Sequence, residues 1–186
     1  MRFFSMKYFF PAILFLTLPG FLRAQFLTGI STKYDDSFVE WLFFTGSEDE
    51  EGELKMSWQL QNDWTQWDYS LGDRFGTIKT KWRDNPEEWE LRGNNTIVTA
   101  RTIWAGDLRE WRIKGSDHTF TLHSKWGNQL DEWEIRDSSH GSFVMYTNYE
   151  RDPRDWVVID ELAAEVTFEE KMMLLFIVAF HSSPRQ

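Results

Sequence analysis

The chain has 186 residues and carries 30 acidic against 20 basic side chains, for a net charge of −10 at pH 7. Such an acidic chain argues against nucleic acid as a partner and against simple electrostatic docking on anionic membranes. There is no cysteine, so the 11 Trp and 16 Phe must supply a core that no disulfide reinforces.

The first 24 residues have the layout of a secretory signal peptide. A basic start is followed by an apolar run from Tyr8 to Leu18, and Ala24 is a small residue at the expected cleavage point. The run is shorter than the span of about 20 residues that crosses a bilayer, although an uncleaved anchor stays an alternative. We therefore predict a signal peptide at residues 1–24, a single domain at residues 25–186, and a protein that is secreted or periplasmic, in the cell envelope.

Tryptophan recurs at a fixed period through most of the remaining chain. One series steps by 22 or 23 residues and a second series by 22. A period of this length, with alternating apolar and polar residues and Gly, Asn, Asp and Ser at the turns, predicts repeated β-hairpins. We expect six hairpin units, or about twelve strands, in an up-and-down antiparallel barrel that closes by pairing the first strand with the last. The first series is Trp67, Trp89, Trp111, Trp133 and Trp156, and the second is Trp82, Trp104 and Trp126.

The alternation sorts the side chains of each hairpin into two faces. Trp89 and Leu91 share a face on one strand, and Val98 and Trp104 share a face on the next. We expect both tryptophan series to line the inside of the barrel, with ligand platforms for carbohydrate or aromatic compounds as the alternative. On the other face, the first strand of each hairpin carries acidic side chains and the second strand carries basic ones. This arrangement favours cross-strand ion pairs in solvent.

The end of the chain departs from the repeat. Thr167 is a good helix cap, and nine apolar residues in a row begin at Met172. A helix over about 168–181 that is apolar all round belongs in a core. Twelve strands close into a barrel of roughly 12 Å radius, which leaves room for one helix about 10 Å across. An outer-membrane barrel with outward tryptophans and a flat open sheet are the alternatives, but the strands are short for a membrane barrel.

The hairpin repeat and this ending resemble the tubby-like superfamily, which includes the phospholipid scramblases and the LURP-one-related proteins. Over residues 26–183, Lys171-Met172 ahead of the apolar run is similar to the scramblase ending, and His181-Ser182-Ser183 is similar to a tubby ending. The resemblance implies a barrel around a hydrophobic C-terminal helix and a non-enzymatic role linked to lipids or membranes. The family's basic phosphoinositide pocket has no clustered counterpart in this sequence, and only Asp160-Glu161 matches the scramblase acidic segment.

Motifs of catalysis are absent from the sequence. It has no cysteine nucleophile, no GxSxG, no HExxH and no phosphate-binding glycine loop. His118, His123 and His140 fall near adjacent hairpins, but turns and exposed strand positions explain them without a metal. We therefore predict a non-catalytic binding protein associated with a lipid or membrane surface, and not with nucleic acid. The alternative is a module that binds an envelope protein or calcium.

The candidate binding residues lie where the repeat is irregular or where its hairpins connect. Oxygen-rich clusters can hold calcium, although aspartate also favours turns for local reasons. No cofactor is expected, and calcium is the one candidate ion. The calcium candidates are Glu48, Asp49, Glu50 and Glu51 in one long loop, and the binding candidates are Trp58 and Trp64 in the irregular unit and Asp84, Asp107, Asp131 and Asp152 at one rim of the barrel.

Overall fold

Twelve antiparallel strands close into one barrel in the computed structural model of the protein. The structure describes residues 26–47, 50–83, 85–136 and 139–184, so the expected signal peptide lies outside it. The predicted fold class is confirmed. The strands are β1 (Leu27–Tyr34), β2 (Ser37–Thr45), β3 (Glu51–Trp58), β4 (Asp63–Leu71), β5 (Arg74–Trp82), β6 (Asn85–Gly93), β7 (Thr96–Thr102), β8 (Glu110–Lys114), β9 (Thr119–Trp126), β10 (Gln129–Arg136), β11 (Gly141–Thr147) and β12 (Asp155–Leu162).

Each strand pairs with its neighbours in the chain, and the barrel closes between β1 and β12. Ile30 lies opposite Trp156 in that last pairing. Closure removes the two sheet edges that a meander would expose. We call the end at which β1 begins the first rim, and the end at which β1 terminates the second rim. The chain enters the central helix from the first rim, after β12.

A single helix, α1 (Phe168–Ser182), fills the inside of the barrel. Its residues from Phe168 to His181 are all buried, as expected for a helix that is apolar all round. It begins with a capping box, in which the Thr167 side chain accepts from the Glu170 N–H and the Glu170 carboxylate accepts from the Thr167 N–H. The helix predicted over about 168–181 is confirmed.

The tryptophans of the first series, together with Trp41, form the inner wall around this helix. Trp89, for example, meets Phe176 and Phe180 edge to face, with ring centroids 4.9 and 4.7 Å apart. Each of the six indole N–H groups donates to the backbone carbonyl three residues earlier, over 2.8–3.1 Å. A buried indole therefore keeps a hydrogen bond within its own segment of the chain, and Trp133 also donates to Ser182 Oγ of the helix over 3.1 Å.

That hydrogen bond goes with an irregularity in the strand. Between the pairs Thr80–Trp89 and Trp82–Asn85, β5 advances by two residues while β6 advances by four. The same shift precedes Trp41, Trp67 and Trp133. Extra residues of this kind form a β-bulge, which increases the local twist of the strand.

The tryptophans of the second series lie on the outside of the barrel. Trp82, Trp104 and Trp126 are 59, 64 and 48 % exposed. The expectation that they line the inside was wrong. Trp82 and Trp126 lie beyond the bulges of their hairpin pairings, and Trp104 lies past the end of β7, so the strict two-residue alternation does not reach them. Val98 and Ala100, earlier on the strand that leads to Trp104, are buried as expected.

The helix carries a buried lysine–aspartate ion pair into the barrel. Lys171 Nζ lies 2.9 Å from Asp160 Oδ2 on β12, and both side chains are almost fully buried. The Asp160 carboxylate also accepts from the backbone N–H groups of Leu27 and Leu162. The pair therefore joins the helix to β12 and, through the Leu27 N–H, to β1, which are the two strands that close the barrel.

The inner and outer tryptophans should respond differently to replacement by phenylalanine, as measured by the free energy of unfolding. Trp111→Phe removes the N–H that bonds to the Leu108 carbonyl and leaves a gap in the core, so it should lower the free energy of unfolding by about 1–3 kcal/mol. Trp104→Phe, at an exposed position, should change it by less than about 0.5 kcal/mol. Urea denaturation measures both, and equal costs would contradict the inner and outer assignment.

The buried ion pair gives a second prediction. Lys171→Met leaves the Asp160 charge buried without its cation and should cost about 3–5 kcal/mol. Adding Asp160→Asn removes that charge and should recover part of the loss. Urea denaturation of the single and double variants tests this coupling, and a double variant that costs as much as the two single changes together would argue against it.

Candidate functional site

Six exposed aromatic side chains surround the second rim. One comes from each hairpin unit, at or just after the end of an odd-numbered strand, so they are spread around the whole circumference. We call this set the aromatic girdle. It is the largest regular group of exposed apolar side chains at either end of the described barrel. Its members are Tyr34, Trp58, Trp82, Trp104, Trp126 and Tyr149.

The three tryptophans of the second series are held against the outer wall by hydrogen bonds. The indole N–H of Trp82 donates to Glu88 over 2.9 Å, and the same carboxylate pairs with Lys81. The hydrogen bond from Lys81 lowers the pKa of Glu88, which favours its charged form. The polar atoms are thus satisfied within the protein while the rings stay exposed. The equivalent indole bonds join Trp104 to Glu110 over 3.2 Å and Trp126 to Glu132 over 2.9 Å.

The irregular unit adds an aliphatic side chain to the same rim. Trp58 ends β3, and a short 3₁₀ turn over Gln59–Gln61 follows it. Leu60, in the middle of this turn, is 99 % exposed. A fully exposed leucine beside an exposed tryptophan makes this turn the most apolar projection of the second rim.

Trp64, the other tryptophan singled out in the irregular unit, has a different environment. Its indole N–H donates to Asn62 Oδ1 over 2.8 Å, and its ring lies against Trp67 and Phe180. It is only partly exposed and packs on the core. Trp64 therefore supports the turn, whereas Trp58 presents its surface to solvent.

Two of the rim aspartates are engaged with arginine. Asp107 accepts two hydrogen bonds from the Arg109 guanidinium, and Asp152 does the same with Arg154. Each aspartate also accepts the backbone N–H of its arginine, which forms a tight turn. The arginine hydrogen bonds lower the pKa of Asp107 to about 2. Their oxygens are thus already occupied, while Asp84 lies outside the described residues.

Asp131 occupies the position that Arg109 and Arg154 hold in their own units. It lines a cleft of about 450 Å³ between β10 and the connection before β12. Its Oδ1 is buried and has no hydrogen-bond partner among the described residues. Arg151 and Ser182 also line this cleft, which places a carboxylate and a guanidinium around one opening of the second rim.

The described residues of the acidic cluster predicted to hold calcium lie at the opposite end of the barrel. Glu50 and Glu51 lie at the first rim, directly before and at the start of β3, and Glu48 and Asp49 lie outside the described residues. Glu50 and Glu51 are therefore separated from Asp107, Asp131 and Asp152 by the length of the barrel. A calcium site at Glu48–Glu51 stays a prediction.

Sequence reasoning identified Trp58 but missed Leu60, Tyr34 and Tyr149. The signal for the two tyrosines was present, because each stands where other units have an exposed tryptophan.

A scan against protein-family models and searches of curated proteins and of solved structures found no match for this chain. In the described part of the chain, no helix has the length and apolarity needed to cross a membrane.

The Asp107–Arg109 pair should make part of the folding stability depend on pH in the acid range. The pKa of Asp107 is lower in the fold than its usual value near 4. Its stabilisation is therefore complete above about pH 4 and disappears as the pH falls towards about 2. Asp107→Asn should cost at most about 1 kcal/mol at pH 7, because the pair is exposed, and less at pH 2.5. Urea denaturation at the two pH values checks this, with Arg109→Gln as a matched variant; a cost independent of pH would contradict it.

Proposed function

We propose that this protein is an exported, non-catalytic binding protein that docks on the headgroup region of a phospholipid bilayer through its second rim. The observation that supports this proposal is the aromatic girdle together with Leu60. Tryptophan and tyrosine favour the boundary between water and lipid, because their rings are apolar and their N–H or O–H groups are polar.

The arrangement of the girdle favours a flat partner. Alternate strands of a closed barrel each contribute one ring, so the rings lie around one end and not along a groove. A surface that approaches this end along the barrel axis can meet several rings at once. Leu60 projects at the same end, and its aliphatic side chain suits acyl chains better than sugar hydroxyls.

The charges at this rim favour neutral lipid. The carboxylates beside the tryptophans are paired with Lys81, Lys125 or Arg136, and Arg109 and Arg154 are paired with aspartate. The chain as a whole is acidic. Insertion of apolar side chains, and not attraction to anionic headgroups, would then provide the binding free energy. The resemblance to the tubby-like superfamily points to lipid independently and is part of the same proposal.

The test is flotation of the protein with phosphatidylcholine vesicles. The wild type should float, and its binding should change little between low and high salt or when phosphatidylserine is added. The double variant Trp58→Ser/Leu60→Asp should bind about tenfold less or weaker still, because it removes two side chains from the interface. Phe75→Ser is the matched control, since Phe75 is 71 % exposed but lies on β5 next to the first rim.

Three results would decide against this proposal. Absence of flotation with every vesicle composition would exclude lipid docking. Equal loss of binding in Phe75→Ser and the double variant would remove the role of the second rim. Flotation that requires calcium, and that is lost when Glu50 and Glu51 are changed to glutamine, would favour the calcium-binding alternative.

A further inference from the structure

We infer that the first rim holds a site for one divalent transition-metal cation, such as zinc, formed by His118, His140 and Glu165. These three residues come from separate connections: before β9, before β11 and before α1. One donor atom from each lies within 4.8 Å of the others. The site is at the opposite end of the barrel from the aromatic girdle, so it does not depend on lipid docking.

The two imidazoles are held close together by the fold. Their ring centroids are 4.4 Å apart, and the rings meet nearly edge to face. The backbone carbonyl of His118 accepts from Gly115 N–H, and that of His140 accepts from Ala163 N–H. The first bond closes the turn that carries His118, and the second joins the connection that carries His140 to the segment that carries Glu165.

A buried carboxylate orients the first of these ligands. Glu170 on α1 is 1 % exposed, and both its oxygens lie 3.2 Å from Nδ1 of the buried His118. A hydrogen bond from Nδ1–H to a carboxylate leaves Nε2 as the coordinating atom of an imidazole and increases its basicity. Gly115 permits this approach, because a Cβ atom at that position would collide with the Glu170 carboxylate.

The local charges also favour a cation at this position. Glu170 is the capping-box residue and accepts from Thr167 N–H and Oγ1–H, which are neutral donors. Among the described residues, its ion pairs run only to His118. Buried carboxylates are normally paired with a positive group or linked to a metal. A divalent ion would be balanced by the charges of Glu165 and Glu170 together.

The ligand set selects the class of metal. Two imidazoles and one carboxylate suit zinc and its neighbours among the divalent transition metals, whereas calcium and magnesium prefer oxygen ligands. Three protein ligands also leave one position for water or another small ligand. The site is therefore distinct in chemistry and in location from the calcium loop predicted at Glu48–Glu51.

Binding requires a small movement of the exposed ligands. Donor atoms around tetrahedral zinc are about 3.3 Å apart, given bonds of about 2.0–2.1 Å, compared with at most 4.8 Å here. His118 is buried, but the side chains of His140 and Glu165 are 34 and 59 % exposed. These two can close on a cation that His118 already holds in place.

The experiment is a thermal-unfolding titration of the purified protein, prepared without a histidine tag and treated with a chelator. Zinc at about 100 times its Kd should raise the melting temperature by about 5–10 °C with one ion per chain. Calcium and magnesium at the same concentration should not. His140→Ala and Glu165→Gln should fold as the wild type does and lose most of this rise.

His123→Ala is the matched control. His123 also faces a carboxylate, with Nε2 3.4 Å from Glu134 on the outer wall, but it is not part of the group. It should keep the full response to zinc. The inference is overturned if zinc does not stabilise the wild type, if His140→Ala responds as strongly as the wild type, or if His123→Ala loses the response to the same extent.

Discussion

Each inner tryptophan must bury a large ring and still find an acceptor for its indole N–H, and the rest of the barrel follows from this requirement. Ser182 of the helix accepts from Trp133, but all six indoles donate to the carbonyl three residues earlier in their own segment of the chain. That geometry accompanies the bulges seen in front of Trp41, Trp67, Trp89 and Trp133. Beyond each of these bulges, the aromatic residue at the end of the partner strand is exposed, since a bulge changes the local twist of the pair.

The two ends of the barrel differ because a helix has two different ends. At the first rim, α1 begins with three buried charged residues, and each has a partner from the barrel: Asn94 for Glu169, His118 for Glu170 and Asp160 for Lys171. This end is therefore polar and cross-linked. At the second rim, the helix ends among tryptophan and phenylalanine rings, and the exposed groups around it are the girdle. A metal suits the first environment, and an amphipathic surface suits the second.

The sequence predicted the architecture closely and the site only in part. Period and alternation were enough for strand number, closure and the helix, because burial of one face is a repeated signal. The exposed position of Trp82 was missed, because a bulge changes the number of residues between paired positions but leaves the residue types as they are. At the first rim, the sequence placed His118 and His140 near adjacent hairpins but explained them without a metal. Glu165 was missed, because only the packing of the helix inside the barrel brings the connection before α1 next to the two histidines.

The repeat also explains why the functional candidates lie where they do. A position that faces α1 is constrained in volume and in hydrogen bonding, so chemistry placed there would cost stability. The outer aromatic position and the connections are free of that constraint, because the inner indole is satisfied by its own backbone. Leu60 stands in an insertion that leaves the core register of Trp67 intact, and Glu165 stands in the linker before the capping box. Binding groups can therefore be added at either rim without disturbing the wall that holds the helix.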